Sequence, residues 1–377
     1  SDSRGGFDVE SGSSLSIEST TLIDTIIGVW GKGSVSGTDI TCDSATTSCL
    51  RVDGTTILNA VTSSNSAEVV HVHNGGDANI GLTTSIRDAD VIVLDDGSTF
   101  SGEVHAVEFN RLIRGSGVVS ATVMPTNFSS GEILIEADSL SGLVVPDAWC
   151  GTQCNVDTLI TGSVEDVEIR SLYFTCESST TCIDAQIDGE LKFVGAWPST
   201  EIYSNGSFAR LRGTGTFHAN QMSLTTSGEL FDVSGSGELN IEDSTLSFEN
   251  GGTISGWSLD ASNVVFVAQE NGLTILDVEA DLSMVEIARS FASSDSTSVG
   301  LRAVWSEVTI DDVTMIGWNE GIRCESECTL SGLHLESGGG GRNSGSGVTI
   351  DGGSMTIDTL DTSSSDVGIN VVDGTIH

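Results

Sequence analysis

Residues 273–288 read L-T-I-L-D-V-E-A-D-L-S-M-V-E-I-A, and residues 301–316 read L-R-A-V-W-S-E-V-T-I-D-D-V-T-M-I. Laid over one another, the two stretches place apolar or small residues at offsets 0, 2, 7, 9, 12 and 14. The first gives Leu273, Ile275, Ala280, Leu282, Val285 and Ile287; the second gives Leu301, Ala303, Val308, Ile310, Val313 and Met315. A spacing of two is the strand period, so each pair points into one interior. The gaps of five and three are corners. Residues 275–291 could also place Met284, Ile287, Ala288 and Phe291 on one face of a helix. The same residues fill all six strand positions, and so do their neighbours, so the strand reading wins.

The template extends in both directions. Gly252, Ile254, Leu259, Ala261, Val264 and Phe266 fit it, as do Val348, Ile350, Met355, Ile357 and Leu360. Upstream, Ile160, Gly162, Val167, Ile169, Leu172 and Phe174 match, and Ile133, Ile135, Leu140, Gly142 and Val145 follow with slips. Near the start the unit is Leu15, Ile17, Leu22, Ile27 and Val29, with Asp24 as the exception. Between residues 30 and 130 the pattern is poorer. Such a rung cannot bury its own face, and it is stabilised by stacking about 4.8 Å from the next one. The expectation is an all-β fold: a single parallel β-solenoid over 1–377, about sixteen rungs of 20–28 residues, three short strands per rung. Residues 1–14 read as a lead-in. The last rung, Ile369, Val371 and Ile376, reads as uncapped, continued by a longer chain or covered by a partner. The pattern resembles the right-handed parallel β-helix proteins of pectin-lyase-like architecture. The resemblance spans nearly the whole chain, rests on periodicity alone, and brings no functional residues with it.

Composition bounds the function. The 377 residues include 45 Gly and 3 Pro, with 54 acidic against 14 basic residues, a net charge of -40. Such a surface repels nucleic acid and anionic lipid and attracts cations. No apolar run reaches the about 18 residues of a membrane span, so no direct membrane insertion is expected.

Eight cysteines form four local pairs: Cys42/Cys49, Cys150/Cys154, Cys176/Cys182 and Cys324/Cys328. An even count in close pairs favours disulfides and an oxidising compartment. The repeat puts the first three pairs at the corner joining successive rungs, and Cys324/Cys328 at a different corner. A shared zinc site fails on distance, because four ligands must lie about 2.0–2.3 Å from one ion. Disulfide clamps are therefore expected. Sequons at Asn127 and Asn205 are candidate glycosylation sites.

Several surface groups are candidates for chemistry. Asp260 and Asp281 share an outward offset on adjacent rungs, and stacked carboxylates suit Ca²⁺; a solvated acidic face is the plainer reading. Asp311 and Asp312 are a weaker case of the same kind. Arg302 and Arg323 also share an offset, with Glu307, Glu320 and Glu325 near in sequence, and read as a charge network or an anionic-sugar contact. His71 and His73 alternate with Val70 and Val72; a metal would need a third ligand that the sequence does not show, so they read as exposed histidines. Trp149 adjoins a cysteine corner, while Trp257 and Trp305 stand at the first corner of their rungs and could pack there or stack on sugars. An ice-binding array would need a regular column of Thr, but Asp260 and Asp281 interrupt the one that holds Thr309 and Thr356.

No nucleophile elbow, phosphate loop or zinc-protease motif is present. The expected function is a non-catalytic extracellular structural or adhesive solenoid at the cell surface: a stalk, adhesin or filament subunit. End-to-end self-association, neighbouring surface proteins and carbohydrate are its expected partners. No cofactor is expected beyond Ca²⁺ on the acidic surface. The alternative is a carbohydrate-active β-helix enzyme, a lyase or glycoside hydrolase, which would need carboxylates, an Arg and a Trp converging on one groove.

Overall fold

A computed structural model describes residues 6–84, 88–106, 109–115, 117–125, 135–140, 143–145, 154–156, 160–170, 173–176, 181–194, 200–290, 298–338, 345–362 and 366–377. These residues form an all-β parallel β-solenoid of about 13 turns with three parallel sheets. The chain divides into two compact units, Ser1–Ser178 and Ser179–His377, described in turn.

In the first unit, strands Ile27–Gly31, Ser48–Val52, Glu68–Val72 and Asp88–Leu94 stack in parallel. Val29, Leu50, Val70 and Ile92 form one inward column, and all are buried. A second column runs Ile40, Val61, Leu82 through the strands Ser34–Asp43, Thr55–Ser64 and Asp77–Thr84. The weak pattern between residues 30 and 130 has a direct cause. Ser48, Thr56, Ser63 and Thr84 occupy buried positions, while Ile57 faces solvent. Small hydroxylated side chains fit the pleat but do not register as apolar.

The phase expected near the start is corrected here. Val29 pairs with Leu50, and Leu15 pairs with Val35. Val29 therefore opens a first strand instead of closing a rung, and Phe7–Val9, inside the supposed lead-in, already pairs with Val29–Gly31. Likewise Ile135 pairs with Ile160, so the unit begun at Ile133 is two residues out of phase. A slip of two leaves every side chain on its original face, so alternation alone cannot detect it.

In the second unit the template holds closely. Leu259, Ala280, Val308, Leu330 and Met355 form one ladder column, and Leu273, Leu301, Ile322 and Val348 another. Leu273–Leu276 and Glu279–Arg289 are strands, not a helix. The corner in the gap of three is made by Asn263, Met284 and Asp312, all with φ between 51° and 59°. The corner in the gap of five is made by Gly256, Asp277, Trp305, Ser326 and Gly352, also with positive φ. A left-handed residue turns the chain in one step, and Gly, Asn and Asp adopt it at least cost.

Large side chains fill this core. Phe193, Phe208, Phe217 and Phe231 pack with centroids 5.8–6.5 Å apart. Trp257 and Trp318 are fully buried, and their indole N–H groups donate to Ser234 O (3.2 Å) and Ile287 O (2.9 Å). The first strands of the later rungs carry a glycine column. Gly251, Gly272, Gly300, Gly321 and Gly347 each stand one residue before a first-strand ladder position. A Cβ on Gly272 would lie 1.8 Å from Gly300 O, and one on Gly300 would lie 2.9 Å from Trp318 Cδ1.

Candidate functional site

The cysteines act inside the rungs. Cys42–Cys49 and Cys324–Cys328 are disulfides with Cα–Cα separations of 5.7 and 5.4 Å, and all four residues are buried. Cys176 and Cys182 are also disulfide-bonded, giving three disulfides. The fourth expected pair, Cys150 with Cys154, is not among these three, and Cys150 lies outside the described residues. The place expected for Cys154 is corrected. It opens strand Cys154–Val156 as the ladder partner of Phe174, so it stands in a sheet and not in a corner. The cause is a short rung: a return of 20 residues brings Cys154 opposite Phe174. Trp149 and the sequon at Asn127 also lie outside the described residues. Asn205 is exposed in the turn between strands Thr200–Ser204 and Ser207–Gly213.

Asp260 and Asp281 are direct ladder partners, and both are exposed. Partial burial, then the charges of Asp281, Glu242 and Glu238, raise the proton affinity of the Asp260 carboxyl. Their column continues through Asn240 on one side and Thr309 on the other. Among the described residues, no three His, Cys, Asp or Glu side chains are grouped so as to hold a metal ion. Asp312 serves as a corner residue with φ 59°, and Asp311 pairs in the ladder with Ser283.

Arg302 and Arg323 are ladder partners joined by one carboxylate. Glu325 Oε2 accepts from Arg302 Nε and Nη2 (3.1 and 2.7 Å), and its Oε1 lies 2.5 Å from Arg323 Nε. Arg323 also meets Glu320 and Asp351, each at 3.4 Å. Burial would raise the Glu325 carboxyl, but the two guanidinium groups hold it below the usual carboxylate range. Glu307 stands in a neighbouring sheet between Glu279 and Thr329. Beside this network lies an open groove of about 550 Å³. Glu229, Asn250, Asn271, Thr253 and Thr274 continue its lining, and Asn271 donates to Asn250 Oδ1 at 3.0 Å. Trp305 is 57% exposed at the next corner, and its backbone N–H donates to Glu325 O at 3.3 Å. Trp257, expected in the equivalent place, is buried instead.

The first unit holds a cluster whose partners the sequence does not reveal. His71 and His73 do face outward from strand Glu68–Val72, but both are largely covered. Asp95, from the next rung, places Oδ1 3.1 Å from His71 Nε2 and Oδ2 3.0 Å from His73 Nε2. The other ring nitrogens face Glu68 Oε2 (3.1 Å, from His71) and Asp53 Oδ1 (3.4 Å, from His73). Glu68 in turn accepts from Ser48 (2.7 Å) and Arg114 (3.0 Å), and Arg114 also binds Asp90 at 2.6 Å. Asp53 accepts from the Trp30 indole at 2.9 Å, with Arg51 Nε 3.8 Å away. Arg51 and Lys32 lie over the Trp30 ring, 5.0 and 4.2 Å from its centroid. Spacings of 20 to 25 residues between acids and bases, one rung apart, are the only signal that could have predicted this assembly. No family model, curated protein or solved structure matches the chain, so its function is read from this geometry.

Proposed function

We propose that the chain is a non-catalytic extracellular structural or adhesive solenoid, working as a surface stalk, an adhesin or a filament subunit. One observation carries the reading: Arg51, Arg114, Arg210, Arg302 and Arg323, on first strands, are each engaged by carboxylates of their own or nearby rungs. Arg210 stands between Asp184 (3.6 Å) and Asp232 (3.1 Å), and Arg302 and Arg323 share Glu325. Groups paired along the stacking direction brace rungs against one another and are less free to capture a substrate. The buried disulfides support an oxidising, extracellular setting. The acidic surface suits solubility there, with Ca²⁺ at Asp260 and Asp281 as its bound counter-ion. The finer architecture belongs to the same proposal. A right-handed coil is supported by the strong preference for right-handed crossovers between parallel strands. About sixteen rungs over all 377 residues, a finer count than the about 13 turns described, are supported by returns of 20 residues (Leu50 to Val70) to 28 (Leu273 to Leu301).

The groove at Arg302 favours a second reading, a carbohydrate-active enzyme, since Glu229 and Glu325 stand there with two guanidinium groups. The test is incubation of the purified chain with a panel of soluble polysaccharides, following both co-sedimentation and release of reducing or unsaturated ends. Binding or self-assembly without product supports the structural reading. Product formed in proportion to protein, and abolished by Glu325→Gln, would replace it with the enzymatic one.

A further inference from the structure

The cluster around His71 has a property that neither proposed function uses. A neutral imidazole carries one N–H and one lone pair, so it can donate to only one carboxylate. His71 has a carboxylate oxygen 3.1 Å from each ring nitrogen, Glu68 on one side and Asp95 on the other. Both contacts are hydrogen bonds only when both nitrogens bear protons. In the neutral ring one of them sets a lone pair against a carboxylate.

The surroundings sharpen the charge requirement. From its own strand, His71 faces Glu68 and lies beside His73, with ring centroids 5.4 Å apart. Its ladder partner on one side is Arg51, which with Trp30 belongs to Asp53; on the other it is the buried, uncharged Val93. The rung beyond supplies Asp95 and Asp90, and the next supplies Arg114, which binds Glu68 and Asp90. Lys32 is drawn away to Asp8 (3.4 Å) and Glu10 (3.3 Å). Four carboxylates thus face two guanidinium groups, a local excess of two negative charges that a charged imidazole reduces.

We propose that His71 is a proton-gated staple: doubly protonated, it ties Glu68 to Asp95 of the next rung, and on losing a proton it releases one of them and loosens the rungs between Ser48 and Arg114. His73 supports the staple by holding the second oxygen of Asp95. The hydrogen bond to Glu68, opposed by partial burial and reinforced by Asp95, raises the proton affinity of His71 above that of a free imidazole. Burial opposes the charge on Glu68, but its bonds to His71 and Ser48 and the charge of Arg114 hold its carboxyl low. The signs define a window. The His71 contribution is complete below the unfolded value of about 6.5 and is lost as pH rises through its raised folded value. The Glu68 contribution is lost as pH falls through its lowered value. The staple is closed between those limits.

Selective ¹³C-histidine labelling of the full chain, with His71→Gln to assign the signal, reads the switch directly by NMR titration. The result expected is a His71 midpoint above about 6.5, moved downward by Asp95→Asn and by Glu68→Gln. Hydrogen exchange corrected for intrinsic rates should show a loss of protection over residues 48–95 from about pH 6 to about pH 9, with no matching loss over residues 200–290. A His71 midpoint at or below the free-imidazole value overturns the proposal in the unmodified protein, whatever the variants do. Equal protection at both pH values overturns the gating.

Discussion

Two stretches of the first-strand column, from Leu50 to Ile113 in the first unit and from Gly252 to Val348 in the second, solve one packing problem in opposite ways. In the middle rungs of the first unit, the residue before Leu50, Val70, Ile92 and Ile113 is Cys49, Val69, Val91 and Leu112 in turn, and each is buried. In the later rungs of the second unit, after Cys182, Phe208 and Leu230 at the same position, it is Gly251, Gly272, Gly300, Gly321 or Gly347, and at Gly300 the Trp318 ring takes the space. Small against large on facing positions keeps the interior close-packed. The outer faces differ as well. One is a chain of imidazoles and carboxylates, and the other a run of Thr, Asn and Arg beside a groove.

That comparison is broken most sharply at Trp318. Trp318→Ala should cost about 3–5 kcal/mol by opening a cavity, read as a lowered urea midpoint for probes in the second unit alone. Gly272→Ala should cost about 1–3 kcal/mol, because the added carbon meets a backbone oxygen that cannot swing aside. Val69→Ala, by the cavity route, should lower the midpoint of the first unit by a similar amount. Replacing Cys324 and Cys328 together by Ser should cost about 2 kcal/mol in the chain-entropy account of a short loop; equal midpoints with and without reductant in the wild type would contradict it. Arg302→Ala should cost less than about 1 kcal/mol, since the guanidinium is half exposed.

The two charge networks should also respond to pH with opposite signs. The Glu325 carboxyl is held low, so its contribution is present above the ordinary carboxylate range and is lost as pH falls through its lowered value. The His71 contribution is lost on the alkaline side. Exchange protection around residues 302–325 should therefore fall in acid, while protection around residues 48–95 falls in base.

Legibility followed the apolar side chains. Where inward positions hold Leu, Ile, Val and Phe, as from residue 252 onward, offsets read from sequence coincide with the ladder register. Where they hold Ser48, Thr56 and Ser63, the alternation survives but the phase does not. The glycine column was visible as a Gly before each of Leu273, Leu301, Ile322 and Val348, yet a glycine carries no hydropathy signal. The Arg302–Glu325 pairing was within reach because one rung separates the partners along a clear register. Asp95 as the partner of His71 was not, because rung length varies from 20 to 28 residues and fixes which acid arrives opposite which base. The same variation hid the strand position of Cys154.

The central claim is the parallel register itself, and a cross-link tests it. Thr274 and Arg302 are direct partners on adjacent first strands, so their Cα atoms should lie about 4.8 Å apart, within disulfide range. Thr274→Cys with Arg302→Cys should oxidise to one new bond, identified by peptide mass spectrometry. Thr274→Cys with Val304→Cys, displaced by two residues to about 8 Å, should not. Bond formation in the second pair and none in the first would contradict the solenoid described here.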